Sequence, residues 1–315
     1  MERLFLRNSF RILISIAIVF FANKVYPAFE NVGVGVRPIG LGGSYVAIAD
    51  DINATLWNVA GLTQLTKVEI TTMYSKLYWG IEEDNLSKSF IGFGYPISSD
   101  IGIIGLSWIN FNSNLYGENT IVLSYARNII ENLSSGINVK TMIKKYGTNG
   151  YTDIDPVFAG GKTAYGIGLD FGALYKLSDN FSLGASINNL NQPDISLKEK
   201  DLVPLDIKTG LAVKLGNISI FENILMSTEF DWYNNINKDY KVCSGIESWF
   251  FDKIISLRIG GSSGNNKQGE ITTGMSYVLN RETWQIEIDY AFSYLFSGAM
   301  VGTSGNHHIA TTLKF

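Results

Sequence analysis

From Lys67 to the end of the chain, apolar and polar residues alternate with a period of two, the mark of strands that present one apolar face. In "TWQIEIDYAFSY", Trp284, Ile286, Ile288, Tyr290, Phe292 and Tyr294 fall on one side, and Gln285, Glu287, Asp289, Ala291 and Ser293 on the other. "LDIKTGLAVKL" sets Leu205, Ile207, Leu211, Val213 and Leu215 against Asp206, Lys208, Gly210, Ala212 and Lys214. The second face is charged or tiny. Segments bounded by Gly, Asn, Asp or Ser turns predict about fourteen strands, near 68–78, 88–97, 101–111, 118–128, 133–145, 164–176, 181–189, 205–215, 224–233, 241–250, 254–262, 269–279, 283–294 and 306–315. An even number of that size fits a closed antiparallel barrel.

A soluble sandwich alternates in the same way with its apolar face inward, so other features must decide which face meets lipid. Charged residues make up 17% of the chain, below the roughly 25% of soluble domains. Arg3, Arg7 and Arg11 accompany an apolar run from Ile12 to Ala22, too short for the ~20 residues of a spanning helix. Residues 1–28 therefore predict a signal peptide, with cleavage after Ala28. Tyr74, Tyr78, Trp79, Tyr175, Trp232, Trp284 and Tyr294 lie near strand ends, where an interfacial girdle belongs. The chain stops at "HHIATTLKF", whose terminal Phe315 resembles the C-terminal assembly signal of bacterial outer-membrane barrels. These features predict an all-β transmembrane barrel at residues 67–315, with outer-membrane lipid against its apolar face.

That orientation sends Lys208, Glu229, Asp231, Glu247, Arg258, Glu270, Glu287 and Asp289 into the lumen, where they can pair. On the lipid face an Arg or Lys at mid-depth costs about 2–4 kcal/mol. Loss of residues 1–28 removes Arg3, Arg7, Arg11, Lys24 and Glu2, taking the net charge from −4 to −7. This balance argues against a nucleic-acid partner. Cys243 is the single cysteine, which excludes an internal disulfide and a cysteine-rich metal site.

Other chemistry finds little support. Gly161-Lys162-Thr163 lacks the P-loop spacing, since Pro156 stands where a glycine is needed. Asp153 and Asp155 have no further acidic partners at calcium-binding offsets. His307 and His308 are adjacent on a strand and face opposite sides. No Gly-x-Ser-x-Gly elbow occurs. The expectation is a protein that is not an enzyme and carries no cofactor or metal.

Residues 37–62, "RPIGLGGSYVAIADDINATLWNVAGL", resemble the N-terminal segment of the FadL-like superfamily of outer-membrane proteins. The likeness rests on the Gly40-Leu41-Gly42-Gly43 turn, the small apolar run through Ala47 and Ala49, Asp50-Asp51 and Asn58-x-Ala60; Val59 stands where members carry proline. Residues 166–190, "GIGLDFGALYKLSDNFSLGASINNL", are similar to the PorV/PorQ-like group. The resemblance implies that residues 29–66 fold into a fourteen-strand barrel as a hatch. Gly40, Gly42 and Gly43 would turn against the wall, Tyr45 to Ala49 would form a short apolar turn, and Asp50 and Asp51 would pair with lumenal lysines or cap a turn. Tyr45, Asn53, Trp57 and Asn58 complete the hatch residues that would gate or touch a ligand. Two functions follow from the resemblance: passage of small hydrophobic molecules across the outer membrane, or a PorV-like subunit that docks with components of a type IX-like secretion or envelope assembly. The short interruptions, about residues 146–163 and 190–204, speak against a large external capture pocket.

Overall fold

Branched and aromatic residues alternate with glycine, serine or a charge along the strands, and the sheet they form closes on itself with its apolar face outside. The computed structural model describes residues 28–29, 33–81, 84–98, 100–150, 152–235, 237–265, 269–297 and 301–315. Its strands are β1 (Glu69–Lys76), β2 (Ser87–Ser98), β3 (Gly102–Asn112), β4 (Tyr116–Ile130), β5 (Leu133–Tyr146), β6 (Thr163–Ser178), β7 (Phe181–Asn188), β8 (Asp206–Ile218), β9 (Phe221–Tyr233), β10 (Tyr240–Phe250), β11 (Ile255–Gly264), β12 (Gly269–Asn280), β13 (Gln285–Ser297) and β14 (Asn306–Lys314). Each is antiparallel to the next, and β14 pairs with β1 to close the barrel. The segments expected from the alternation are those that form the wall. The signal-peptide reading covers residues 1–28, of which 1–27 lie outside the described residues.

Turns such as 131–132, 179–180 and 219–220 are short and share one end, while the longer connections 147–162 and 189–205 share the other. In outer-membrane barrels the short turns are periplasmic and the long loops extracellular. Ile121, Leu123, Ile137, Leu169, Ile259, Ile288 and Ile309 are exposed on the outside. Tyr74, Trp79, Tyr175 and Tyr294 are exposed with them. Tyr78 departs from the expected girdle: at a φ of 49° it turns toward the lumen and lines the internal cavity. No helix of the described residues is long and apolar enough to cross a membrane.

Residues 33–66 run inside the barrel as a short helix α1 (Val36–Gly40), a second, α2 (Ala54–Trp57), and a 3-10 turn (Val59–Gln64). Leu41, Tyr45, Ile52 and Leu62 are fully buried and pack with Ile103, Ala126, Ala212 and Leu225 of the wall. Gly42 and Gly43 take φ of 69° and 84°, which a side chain would resist. Tyr45 O accepts from Ile48 N and Ala49 N, closing the apolar turn. The 3-10 turn forms without the relatives' proline. Val59 occupies its first position and the Asn58 side chain accepts from Ala60 N at 3.2 Å, so capping fixes what a proline would otherwise pre-set.

Candidate functional site

The hatch is seated on a ring of lumen-facing glycines. A Cβ on Gly184 of β7 would stand 2.1 Å from the Val46 carbonyl oxygen, and one on Gly260 of β11 2.3 Å from Gly42 N. Gly136, Gly172, Gly210 and Gly245 likewise face Val59 and Ala60, Asn58, Val46 and Leu41 at distances a methyl group could not share. The small residues of the inward face are what allow hatch backbone to touch the wall.

Charge then fixes the hatch in register. Arg37 donates to both oxygens of Glu247, Nε to Oε2 at 2.8 Å and Nη2 to Oε1 at 2.9 Å, and through Nη1 to Asp50 at 2.5 Å. Glu247 Oε2 also accepts from Arg258 Nε at 2.6 Å, directly across the β10–β11 ladder. Arg258 reaches on to Asp289 at 3.0 Å and Glu287 at 3.8 Å. Ser276 donates to that same Asp289. Lys314 joins Glu287 to Glu69, and Glu69 Oε2 accepts from Ile52 N in the hatch. A second set centres on Glu229, whose Oε2 accepts from Tyr45 N and Val46 N at 2.6 Å each. Lys208 lies 3.5 Å from Glu229 and 3.2 Å from Asp231, and its ammonium sits 4.7 Å above the Trp57 ring.

Burial would lower the pKa of Arg37, but Asp50 and Glu247 outweigh it and hold the guanidinium well above its usual value. Asp50 is pushed up by burial and pulled down more by Arg37, so it ends below the ordinary carboxylate range. Tyr45 is raised by burial, against the pull of Arg37, and with Asp51 beside it remains a phenol. Its hydroxyl donates to Asp51 Oδ2 at 2.8 Å.

The expected lumenal set, Lys208, Glu229, Asp231, Glu247, Arg258, Glu270, Glu287 and Asp289, all lies on the inward face, and all but Glu270 are buried. Of the hatch set, Gly40, Gly42 and Gly43 meet the wall or turn the chain, and Trp57 Nε1 donates to Val34 O at 2.8 Å. Asn58 Nδ2 ties Val46 O to Ala173 O of β6. Asn53 Oδ1 has no hydrogen-bond partner among the described residues, while its backbone N–H is capped by Asp51 Oδ1. Of the two roles expected for Asp50 and Asp51, Asp51 does cap a turn, at Asn53 N, while the charge partner of both is Arg37 of the same segment rather than a lumenal lysine. Arg37 was missed as a functional residue. Its signal is that it is the only Lys or Arg between residues 29 and 66, in a segment that carries an Asp pair.

Toward the long-loop end the hatch leaves a cavity of about 250 Å³. Lys88, Glu118, Lys140, Asp170, Asp206, Lys208, Asp231, Lys241 and Glu270 line it, together with Phe29, Trp57, Ile109, Phe111 and Met142. Lys140 pairs with Asp170 at 2.7 Å, so part of this charge is already compensated. Among the described residues no cluster of His, Cys, Asp and Glu could hold a metal ion.

Solved structures of the same fold include the toluene transporter TbuX of Ralstonia pickettii, at 12% identity and a TM-score of 0.62 over 91% of this chain and 100% of that one. A Pseudomonas aeruginosa FadL homologue matches at 11% identity and 0.62, over 90% and 98% of the two chains. The Pseudomonas putida toluene transporter TodX matches at 12% and 0.61, over 90% and 97%. These likenesses give a FadL-like barrel fold. Comparison with curated proteins gives no match. The family model of the type IX secretion system membrane protein PorP/SprF matches residues 59–313. The PorV/PorQ-like likeness of residues 166–190 thus falls within a chain whose matching family model is PorP/SprF, on the same FadL-like barrel. A closed barrel of this fold and this family resides in the bacterial outer membrane. The chain belongs to the PorP/SprF family of type IX secretion system membrane proteins.

Proposed function

We propose that this barrel is a docking subunit of a type IX secretion assembly, without catalytic activity, and does not pass hydrophobic molecules along its axis. The seating of the hatch carries this reading. Hatch backbone fills seats floored by Gly136, Gly184, Gly245 and Gly260, and Arg37 is shared between hatch and wall. A gate would have to break that buried pairing, and removing one partner of such a pair costs about 3–5 kcal/mol. The cavity above is lined by charges, and an apolar ligand there strands polar groups at roughly 1–3 kcal/mol each. Passage of small hydrophobic molecules is the second reading, favoured by Phe29, Ile109, Phe111 and Met142 in the cavity lining.

The test compares proteoliposomes of the full chain with empty liposomes for uptake of labelled toluene, and in parallel recovers the tagged protein from its native envelope. The docking reading expects uptake no faster than the empty vesicles and co-purification of secretion components. Saturable toluene uptake with no such components would overturn it.

A further inference from the structure

We infer that the extracellular half of β6 is a docking edge for an extended segment of a partner protein, which joins the barrel wall as an added strand. This rests on the docking reading and names where that docking occurs. β6 begins at Thr163, yet its ladder to β7 begins only at Phe171, because β7 ends at Asn188. On its other side β6 pairs with β5 all the way up to Thr163. Thr163 to Asp170 form the longest run of strand in the described barrel that is laddered on one side alone.

The alternation of the ladder shows what that edge offers. Lys162 O accepts from Tyr146 N on the β5 side, and Phe171 faces Ile187 on the β7 side. Even-numbered residues of β6 thus bond toward β5, and odd-numbered residues point their N–H and C=O into the notch. Asn191 imitates the missing strand at its base. Its Oδ1 accepts from Leu169 N at 3.0 Å, its Nδ2 donates to Ile167 O at 2.7 Å, and Leu190 N donates to Leu169 O at 2.8 Å. Above Asn191, no described residue bonds to the notch-facing N–H of Ile167 or to the N–H and C=O of Tyr165. The 189–205 connection does not cover this edge from within: Ile195 and Pro193 pack behind Gly166, on the lumenal side.

The occupant follows from the hydrogen bonding. Lipid offers neither donors nor acceptors to a sheet edge, and unpaired backbone groups in hydrocarbon cost several kcal/mol each, which is why open edges are not left against lipid. An extended peptide satisfies every group at once and places alternate side chains on the outer face. That face is apolar here: Tyr165 is 66% and Ile167 62% exposed, with Leu190 at 53% beside them.

The experiment uses the full chain in the envelope of its native host, with the photo-crosslinking residue benzoylphenylalanine at Ile167, and at Ile288 of the fully paired β13 as control. The expected result is one peptide adduct at 167, absent at 288, mapping to a short segment of a protein that also co-purifies with the uncrosslinked barrel. Tyr165→Pro removes a notch-facing N–H and leaves the bonds to β5 intact, so it is expected to lower adduct yield by about tenfold, while Tyr165→Ala retains it. Heat-modified gel mobility checks that both variants are folded; if the proline variant is not, Ile167→Lys with the crosslinker moved to Tyr165 replaces it. Adducts only to lipid or within this chain itself, or a protein adduct indifferent to these changes, would overturn the edge. If secretion components still co-purify in that case, the docking reading survives; if none does, both fall.

Discussion

The Arg37 guanidinium of the hatch and the Glu247 carboxylate of β10 meet in a two-pronged contact, 2.8 and 2.9 Å, at a sequence separation of 210 residues. Arg258 presses on the same carboxylate from β11 at 2.6 Å, so one buried anion holds a cation of the plug and a cation of the wall together. Glu247→Leu is therefore expected to leave two guanidiniums short of a partner and to destabilise the barrel by about 3–5 kcal/mol. Arg37→Ala leaves Glu247 paired with Arg258 but strips Asp50 of its cation, and is expected to cost a similar amount while freeing the hatch. Thermal unfolding in detergent measures the first, and the rate of proteolysis within residues 33–66 the second.

The glycine seats make a steric prediction. Gly184→Val drives a side chain into the Val46 carbonyl, and the expected outcome is a displaced hatch with a loss of roughly 1–3 kcal/mol. Gly160→Ala, with nothing nearby, is expected to stay within about 0.5 kcal/mol of the parent. Equal melting temperatures for the two variants would contradict the seating.

Asp50 supplies a pH dependence whose sign is fixed. Its folded pKa lies below the ordinary value because Arg37 outweighs the burial that raises it. A depressed carboxylate contributes stability above its unfolded pKa, about 3.9, and loses it as pH falls through the lower folded value. The stability difference between the parent and Asp50→Asn is expected to be flat from neutral pH down to about 5 and to shrink below about 4. A difference that grows on acidification would reverse the assignment.

Neighbours on β13 test the two faces. Ile288 is exposed outward, and Ile288→Arg is expected to cost about 2–4 kcal/mol near mid-depth and to lower outer-membrane assembly. Glu287→Ala removes an inward carboxylate 3.7 Å from Lys314, which keeps Glu69 as a partner. Its assembly yield is expected to fall less. Fractionation and heat-modified mobility read both.

The sequence by itself determined the wall. Residues such as Ile286, Ile288 and Tyr290 alternate with Glu287, Asp289 and Ala291, and a period of two can face lipid on one side only if every inward residue is small or charged. The hatch segment was legible too, from the Gly40 to Gly43 turn and Asn58-x-Ala60. Which inward groups meet was not. Arg37 and Glu247 are brought together by barrel closure and by the path of the hatch, and nothing local in "VRPIG" or "SGIES" encodes that meeting. The same holds for Asp50, whose cation proved to be Arg37 because a helix turn and the Gly42-Gly43 reversal fold the segment back on itself. Gly184 and Gly260 read in sequence as ordinary members of the small inward face, and only the tertiary structure turns them into seats. The open side of β6 is a property of two strand lengths compared across a ladder. Periodicity is local and survives in one dimension; pairing depends on closure and on strand register, which exist only once the sheet has gone round and met itself.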